Sequence, residues 1–211
     1  MNGQAATRTA ALNQGRAETR TLGECLAVNF ATLMQAVAPD LPQDRLAQMS
    51  AASGKGITHR MHLAATLTAD HPAHRGFDRH LSDTVRGWAC YLIAQKPGAD
   101  LTQRLHAIRP LADDPHFGVR EWAWLSLRPA LSADPNLSIA LLVPWTSNPS
   151  DRVRRFASEA MRPRGVWAAH IQSLRRDPSA GFCLLEPLRT DPSRYVQNSV
   201  GNWLNDAAKH Q

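Results

Sequence analysis

The densest group of residues that could do chemistry lies between Arg152 and Arg164, where five arginines fall within thirteen residues. Arginine holds phosphate groups through a planar fork of N–H donors, so this stretch could contact a polyanion. One carboxylate, Glu159, lies among them at helical spacing from Arg155 and Arg162. A fixed carboxylate can act as a general base or stabilise a developing cation. A solvated ladder of ion pairs is the competing interpretation, and both stay open at this point.

These residues belong to an internal repeat. Similar segments are anchored on four valines, Val85, Val119, Val153 and Val196, at intervals of 34, 34 and 43 residues. An interval near 34 holds two helices and their turns, and a valine, an aromatic residue and an alanine would form the buried stripe of each repeated helix. Three copies are preceded by Asp-Pro or Asn-Pro, which predicts a side-chain cap on the first turn. Strand-like alternation is not found, so the sequence predicts an all-α fold, a curved α-solenoid of HEAT-like repeats.

The domain organisation follows from the same patterns. Residues 1–20 are polar and predict a tail or a frayed helix, whereas 21–211 predict a single HEAT-like repeat domain. Apolar residues that recur every three or four positions from Thr21 predict one amphipathic helix that ends at Pro39. The segment from Ile57 to Leu67 predicts another helix.

Composition excludes several classes of protein. The 211 residues carry 24 Lys and Arg against 18 Asp and Glu, a formal charge of +6, which makes a polyanionic partner plausible. The longest dense apolar run, Leu137 to Trp145, is too short to span a bilayer, and no secretory signal precedes the repeats. Three scattered cysteines argue against a disulfide framework, and no nucleotide-binding glycine motif occurs. The histidines between His59 and His80 lack cysteine partners, so neither a metal nor a cofactor is expected.

A polar face emerges when the repeats are aligned on their valines. The positions two, six and nine residues after each valine share one face of a helix and should stack between repeats. This register collects Glu121, Arg155, Glu159, Arg162, Asn198, Asn202 and, one step further, Asp206. Three tryptophans, Trp124, Trp167 and Trp203, are less clearly buried by pattern and could pack against a sugar or a base edge.

Three blocks of this sequence carry a family resemblance. Residues 119–123, 154–167 and 195–206 resemble the HEAT-like-repeat DNA alkylation-repair glycosylases of the AlkC/AlkD superfamily, and within it the AlkC branch. The resemblance implies a monofunctional glycosylase that excises cationic N-alkylated bases, such as 3-methyladenine and, in this branch, 3-methylcytosine. It also implies excision without the usual extrusion of the base into a pocket.

The resemblance also implies roles for individual residues. The acidic residues at the lesion would be Glu121, Glu159 and Asp206. Trp167 would lie against the damaged nucleotide, and the phosphates would be held by Arg154, Arg155, Arg162 and Arg164. Asn198 and Asn202 are predicted to bind DNA from the repeat register and not from the resemblance, because asparagines on one helical face suggest hydrogen bonding. Gln197 and Asn198 replace residues that are usually basic in the family, and Trp203 replaces a common histidine. These departures predict either weaker phosphate contacts at the last repeat or an altered substrate range.

The expected partner is double-stranded DNA with alkylated bases, bound by a cytoplasmic monomer that associates with the nucleoid and not with a membrane. An alkylated base already carries positive charge, so no acid need protonate it, and the carboxylates would stabilise an oxocarbenium-like sugar and orient water. The alternative is a non-catalytic solenoid that binds DNA or a protein partner through the same groove. The carboxylates favour the enzyme, because a pure phosphate binder gains nothing from acids there.

Overall fold

The computed structural model describes residues 2–209, so Met1, His210 and Gln211, at the outer ends of the two predicted segments, lie outside the described residues. The described chain forms helices and turns with no strand, which confirms the all-α prediction. It divides into two compact units: the chain up to Lys96 with His116–Trp122, and Pro97–Pro115 with the chain from Ala123 onward. Because a solenoid repeat contacts mainly its neighbours, such a division is expected within one repeat array as well as between two domains.

The first unit is built from six helices and the first turns of an additional one. They are α1 (Asn2–Asn13), α2 (Leu22–Ala27), α3 (Phe30–Val37), α4 (Gln43–Ala51), α5 (Ile57–Thr68) and α6 (Asp83–Gln95), with a 3₁₀ segment at Pro72–Arg79 and the start of α8 (Phe117–Ala133). The predicted helix from Ile57 is therefore present. In the segment predicted as a tail or frayed helix, the Arg8 guanidinium on α1 pairs with Glu24 on α2 at 2.7 Å.

The predicted single helix from residue 21 to Pro39 is wrong. It is two helices, α2 and α3, because Asn29 begins a new helix and its side chain accepts the backbone N–H of Thr32 at 3.0 Å. Of the apolar residues in that pattern, Phe30, Leu33 and Met34 on α3 are buried, whereas Leu22 and Leu26 on α2 are exposed. The ring of Phe30 lies 5.7 Å from that of Trp88. Asparagine favours helix starts over helix interiors, and that local preference overrode the continuous apolar rhythm.

The second unit contains the remaining helices. They are α7 (Leu101–Ala112), most of α8, α9 (Pro135–Leu142), α10 (Asp151–Ala160), α11 (Gln172–Arg176), α12 (Phe182–Leu185) and α13 (Arg194–Ala208), with 3₁₀ turns at Val143–Ser147, Pro178–Gly181 and Glu186–Leu188. Helix α10 packs along α13 and also contacts α7. The anchoring valines Val153 and Val196 are buried on these helices, as the repeat register predicts.

The Asp and Asn side chains predicted to cap the repeated helices lie before the first turn of α10 and α13 and do not cap it. Helices α10 and α13 begin after Ser150 and Ser193, and neither serine side chain caps the helix. Asn148 instead accepts the Ser150 backbone N–H at 3.0 Å, and Asp191 accepts that of Ser193 at 2.9 Å. These are turns of the Asx type that precede the helix, a geometry that Asp and Asn form as readily as an N-cap.

The close packing of α5, α6 and α8 in the first unit yields a test. A Cβ atom on Gly87 would lie 2.2 Å from the Met61 methyl carbon and 2.6 Å from the Trp122 ring. We expect Gly87→Ala to lower the free energy of unfolding by about 1–3 kcal/mol, because a close-packed core tolerates extra volume poorly. Gly201→Ala on α13, with open space around its Cβ position, should instead stabilise by roughly 0.5–1 kcal/mol. Urea denaturation measures both, and equal effects would contradict this packing.

Candidate active site

One guanidinium on the segment after α10 joins two carboxylates from different helices. Arg162 donates from Nη1 to Glu159 Oε1 at 2.7 Å, near the end of α10. Its Nε and Nη2 lie 2.9 and 2.8 Å from Oδ2 of Asp206, near the end of α13. The packing of α10 on α13 therefore brings together two of the three predicted acidic residues.

These charges are buried, which separates the site from an ordinary surface ladder. Glu159, Asp206 and Arg162 are 3%, 4% and 9% exposed. Burial lowers the pKa of the Arg162 guanidinium, but the charges and hydrogen bonds of Glu159 and Asp206 outweigh it and hold that pKa above its usual range. Buried charges must be paired because desolvation is otherwise prohibitive, so the three side chains form one interdependent unit. The interpretation as a solvated ladder is wrong.

Further contacts fix the second oxygen of Glu159. Ser199 on α13 donates to Oε2 at 2.7 Å and exchanges a hydrogen bond of 2.8 Å with Ser158. Arg155 lies 3.5 Å from the same oxygen, and its guanidinium carbon is 4.5 Å from the centre of the Tyr195 ring. Both carboxylate oxygens of Glu159 are thus engaged.

Ser199 was missed by the sequence argument, although a signal was available. It follows Val196 by three residues, the position at which the other repeats carry the aromatic residues Trp88, Trp122 and Phe156. A small hydroxyl side chain in place of a buried ring leaves room for polar groups at the interface of α10 and α13. The serine in place of an aromatic residue therefore indicates that the interface of this last repeat is polar.

Arg128 anchors the segment that follows α10. It is almost fully buried and donates to the carbonyl oxygens of Ala160 at 2.6 Å, Arg162 at 2.5 Å and Ala169 at 3.3 Å. Burial, followed by the charge of Arg162, lowers its pKa to about 10. Arg128 lies nine residues after Val119, a position of the polar register, but the structure places it in the interior. Its role is to hold both ends of the segment 161–169.

That segment presents Trp167, which is 47% exposed and has a positive φ of 59°. A residue with a Cβ adopts this left-handed conformation at a cost of about 1–2 kcal/mol. Arg164 lies half-buried three residues earlier. The exposed indole ring is therefore presented by a strained backbone that Arg128 holds in place, an arrangement expected where a side chain must meet a ligand.

The other two candidate tryptophans are structural. Trp124 and Trp203 are buried, and the Trp203 indole N–H donates to the Met161 carbonyl at 3.0 Å. Trp203 also packs so tightly that a Cβ on Gly181 would lie 2.3 Å from its ring. The prediction that these two rings could face a sugar or base is wrong.

The remaining predicted residues occupy different environments. Arg154 is held by both oxygens of Asp191, at 2.6 and 3.0 Å, and by the carbonyls of Asn148 and Pro149. Asn198 and Asn202 are exposed along α13. Glu121 is half-buried on the part of α8 that belongs to the first unit. Their roles in binding and catalysis stay predictions.

Across residues 2–209, no group of three or more His, Cys, Asp or Glu side chains could hold a metal ion. Within the same range, no helix has the length and apolar content needed to cross a membrane.

Three comparisons place this geometry among known proteins. No protein-family model matches the chain. It is 40% identical over 103 residues to an uncharacterized Bacillus subtilis protein, YhaZ, a match that covers 49% of this chain and 28% of the relative. It also resembles the solved structure of Pseudomonas fluorescens alkylpurine DNA glycosylase AlkC bound to DNA containing an abasic site analog, with a TM-score of 0.67 and 26% identity. That similarity covers 88% of this chain and 53% of the other, so the chain spans about half the length of the solved relative. The similarity supports the α-solenoid fold class.

The shared guanidinium makes a specific prediction for stability. Arg162→Met would leave Glu159 and Asp206 buried near each other without their common cation. We expect the free energy of unfolding at pH 7 to fall by about 3–5 kcal/mol, the usual loss when one partner of a buried ion pair is removed. Urea denaturation at pH 7 measures this, with the exposed Arg189→Met as control; a loss no larger than that of Arg189→Met would contradict it.

The pair of Arg154 and Asp191 makes a second prediction. The Arg154 hydrogen bond holds the pKa of Asp191 below its ordinary value of 3.8. A carboxyl with a lowered folded pKa stabilises the fold above its unfolded pKa, and this contribution is lost as the pH falls through the folded pKa. We therefore expect Asp191→Asn to cost about 1–3 kcal/mol at pH 7 and progressively less below about pH 4. Thermal unfolding measures the difference, the exposed Asp40→Asn serves as control, and a constant difference down to pH 3 would refute the assignment.

Proposed function

We propose that this protein is a DNA glycosylase that hydrolyses the N-glycosidic bond of cationic N-alkylated bases in double-stranded DNA. The observation that carries the proposal is the buried pair of carboxylates, Glu159 and Asp206, that share one guanidinium. The structural similarity to an alkylpurine DNA glycosylase bound to DNA supports it independently. The substrates we propose are 3-methyladenine and 3-methylcytosine.

The chemistry of such substrates suits an acidic site without a cofactor. The alkylated base is already cationic, so when the bond from C1′ breaks, the electron pair goes to the base nitrogen and the base leaves neutral. The sugar passes through an oxocarbenium-like state that a nearby carboxylate stabilises by charge. A water oxygen then bonds to C1′ and gives its proton to a carboxylate acting as general base. The products are the free base and an abasic site.

Asp206 is the better candidate for the general base. Both oxygens of Glu159 are occupied, Oε1 by Arg162 and Oε2 by Ser199. In Asp206, Oδ2 takes both contacts from Arg162, whereas the described neighbour of Oδ1 is the exposed Lys209 ammonium at 3.8 Å. Oδ1 therefore keeps the capacity to accept a hydrogen bond from water. Glu159 is proposed to supply charge and to keep Arg162 in place.

The residues predicted to contact DNA fall into two groups, according to how exposed their side chains are. Trp167, Asn198 and Asn202 are accessible enough to reach a sugar-phosphate backbone. The Arg154 and Arg162 guanidinium groups are occupied by carboxylates, so we propose that they position the site, as Arg155 does beside Tyr195. Arg164 is proposed as a phosphate contact, and Glu121 as a supporting acid on α8.

The proposal is tested by base release under single-turnover conditions. The protein is incubated with duplex DNA methylated by an alkylating agent, and free 3-methyladenine and 3-methylcytosine are quantified by mass spectrometry. We expect wild type to release alkylated base and Asp206→Asn to slow release by about 10²–10⁴-fold, the usual contribution of a general base. Glu159→Gln should also be slower, although its main loss would be in charge stabilisation.

Asp70→Asn is the matched control, because it removes another carboxylate that is paired with an arginine, Arg45, on the first unit. It should release bases at the wild-type rate. If wild type frees no alkylated base, or if Asp206→Asn and Glu159→Gln are as fast as wild type, the glycosylase proposal is wrong. Retained binding to duplex DNA in that case would favour the non-catalytic solenoid.

A further inference from the structure

One partly buried arginine of the first unit has no carboxylate beside it. Arg60, on α5, is partly buried, and its guanidinium carbon lies 4.9 Å from the centre of the Phe30 ring. Its terminal nitrogens donate to the Leu26 carbonyl at 3.1 Å and, weakly, to that of Val28 at 3.4 Å. A guanidinium has five N–H donors, so most of its donor capacity is unused.

The partner that Arg60 lacks is a negative charge. A carboxylate lies within 4.0 Å of several other buried or partly buried arginines, namely Arg8, Arg45, Arg86, Arg154, Arg155 and Arg162. The buried Arg128 is held by three backbone carbonyls instead. Within residues 2–209, Arg60 has no carboxylate at that distance. Burial alone shifts its pKa, and the shift is downward. A desolvated cation without a counter-charge is a site that an anion would stabilise.

Arg60 lines a cavity of about 310 Å³ between α2, α3, α4 and α5. None of the residues that line this cavity is acidic. Ser50 and Ser53 contribute hydroxyl groups at the end of α4. The surroundings of the guanidinium therefore offer donors and no competing negative charge.

The start of α3 also opens on this cavity. Asn29, Phe30 and Ala31 are among its lining residues, and the Asn29 side chain caps the N–H of Thr32. In the described part of the chain, the backbone N–H groups of Phe30 and Ala31 have no acceptor. The first amides of a helix, with the positive end of its dipole, are suited to oxygen atoms that carry negative charge.

We propose that this cavity binds a phosphate group between the Arg60 guanidinium and the first turn of α3. Backbone amides, a guanidinium and two hydroxyl groups supply more donors than the two oxygens of a carboxylate can use, and a tetrahedral phosphate oxygen set matches them better. The phosphate belongs either to the backbone of DNA or to a free phosphate-bearing molecule. The site lies wholly on the first unit, so it does not depend on the glycosylase proposal.

The first arm of the test uses inorganic phosphate. Phosphate is titrated against sodium chloride of equal ionic strength while the backbone amides are followed by ¹H–¹⁵N NMR. In wild type, we expect saturable shifts of the Phe30 and Ala31 amides, absent in Arg60→Gln. The exposed Arg75→Gln removes the same charge outside the cavity and should behave like wild type. Combined Ser50→Ala and Ser53→Ala, at two exposed positions, provides a second variant that should weaken phosphate binding even if Arg60→Gln folds poorly.

The second arm uses unmodified duplex DNA and measures the dissociation constant as a function of salt. A lost phosphate contact reduces the slope of log K against log salt by about 0.9. If Arg60→Gln reduces the slope and Arg75→Gln does not, the phosphate is that of the DNA backbone. Amide shifts with an unchanged slope assign the cavity to a free phosphate-bearing molecule. If inorganic phosphate does not shift the two amides and the slope of Arg60→Gln equals that of wild type, the proposal is wrong.

Discussion

The guanidinium of Arg162 is the interaction on which the polar core of the second unit depends. It lies between Glu159 and Asp206, and these two carboxylates belong to helices that meet along their length. Without a shared cation, two buried carboxylates would repel each other and would each lose their hydration. The position of Arg162 therefore limits how α10 can sit on α13, and it sets the distance between the two acids.

The neighbouring residues are arranged to protect this interaction. Ser199 occupies a position that carries a large aromatic ring in the other repeats, so it gives up apolar contact and gains a hydrogen bond to Glu159. Arg128 places a second buried guanidinium behind the cluster, where it binds three backbone carbonyls and fixes the segment that contains Arg162. Replacing such a network by apolar side chains often stabilises a protein, so retaining it is consistent with a functional requirement.

The sequence predicted the parts of this architecture that depend on periodic patterns. The valine register correctly located α6, α8, α10 and α13, because an apolar stripe must repeat wherever helices stack in the same way. It could not distinguish an N-cap from an Asx turn at Asn148 and Asp191, since the same side chains satisfy backbone amides in both. It also could not tell which tryptophans are buried. Trp167 is exposed because it lies in the segment 161–169 that Arg128 holds, whereas Trp203 is buried and donates to the Met161 carbonyl of that segment. Arg128 and Trp203 are both distant in sequence from the segment that they contact.

The proposed function requires one chain to attract DNA and also to stabilise a cationic reaction centre. A phosphate requires unpaired donors, whereas a developing oxocarbenium ion requires negative charge that is already in place. In the cluster around Arg162, Arg155 lies 3.5 Å from Glu159 and the exposed Lys209 lies 3.8 Å from Asp206, so the charge of the two carboxylates is offset but fixed in position. The guanidinium of Arg128 donates to backbone carbonyls and pairs with neither carboxylate. Under the proposed function, the net charge of +6 would favour binding to a polyanion, whereas catalysis would depend on where Glu159 and Asp206 are held.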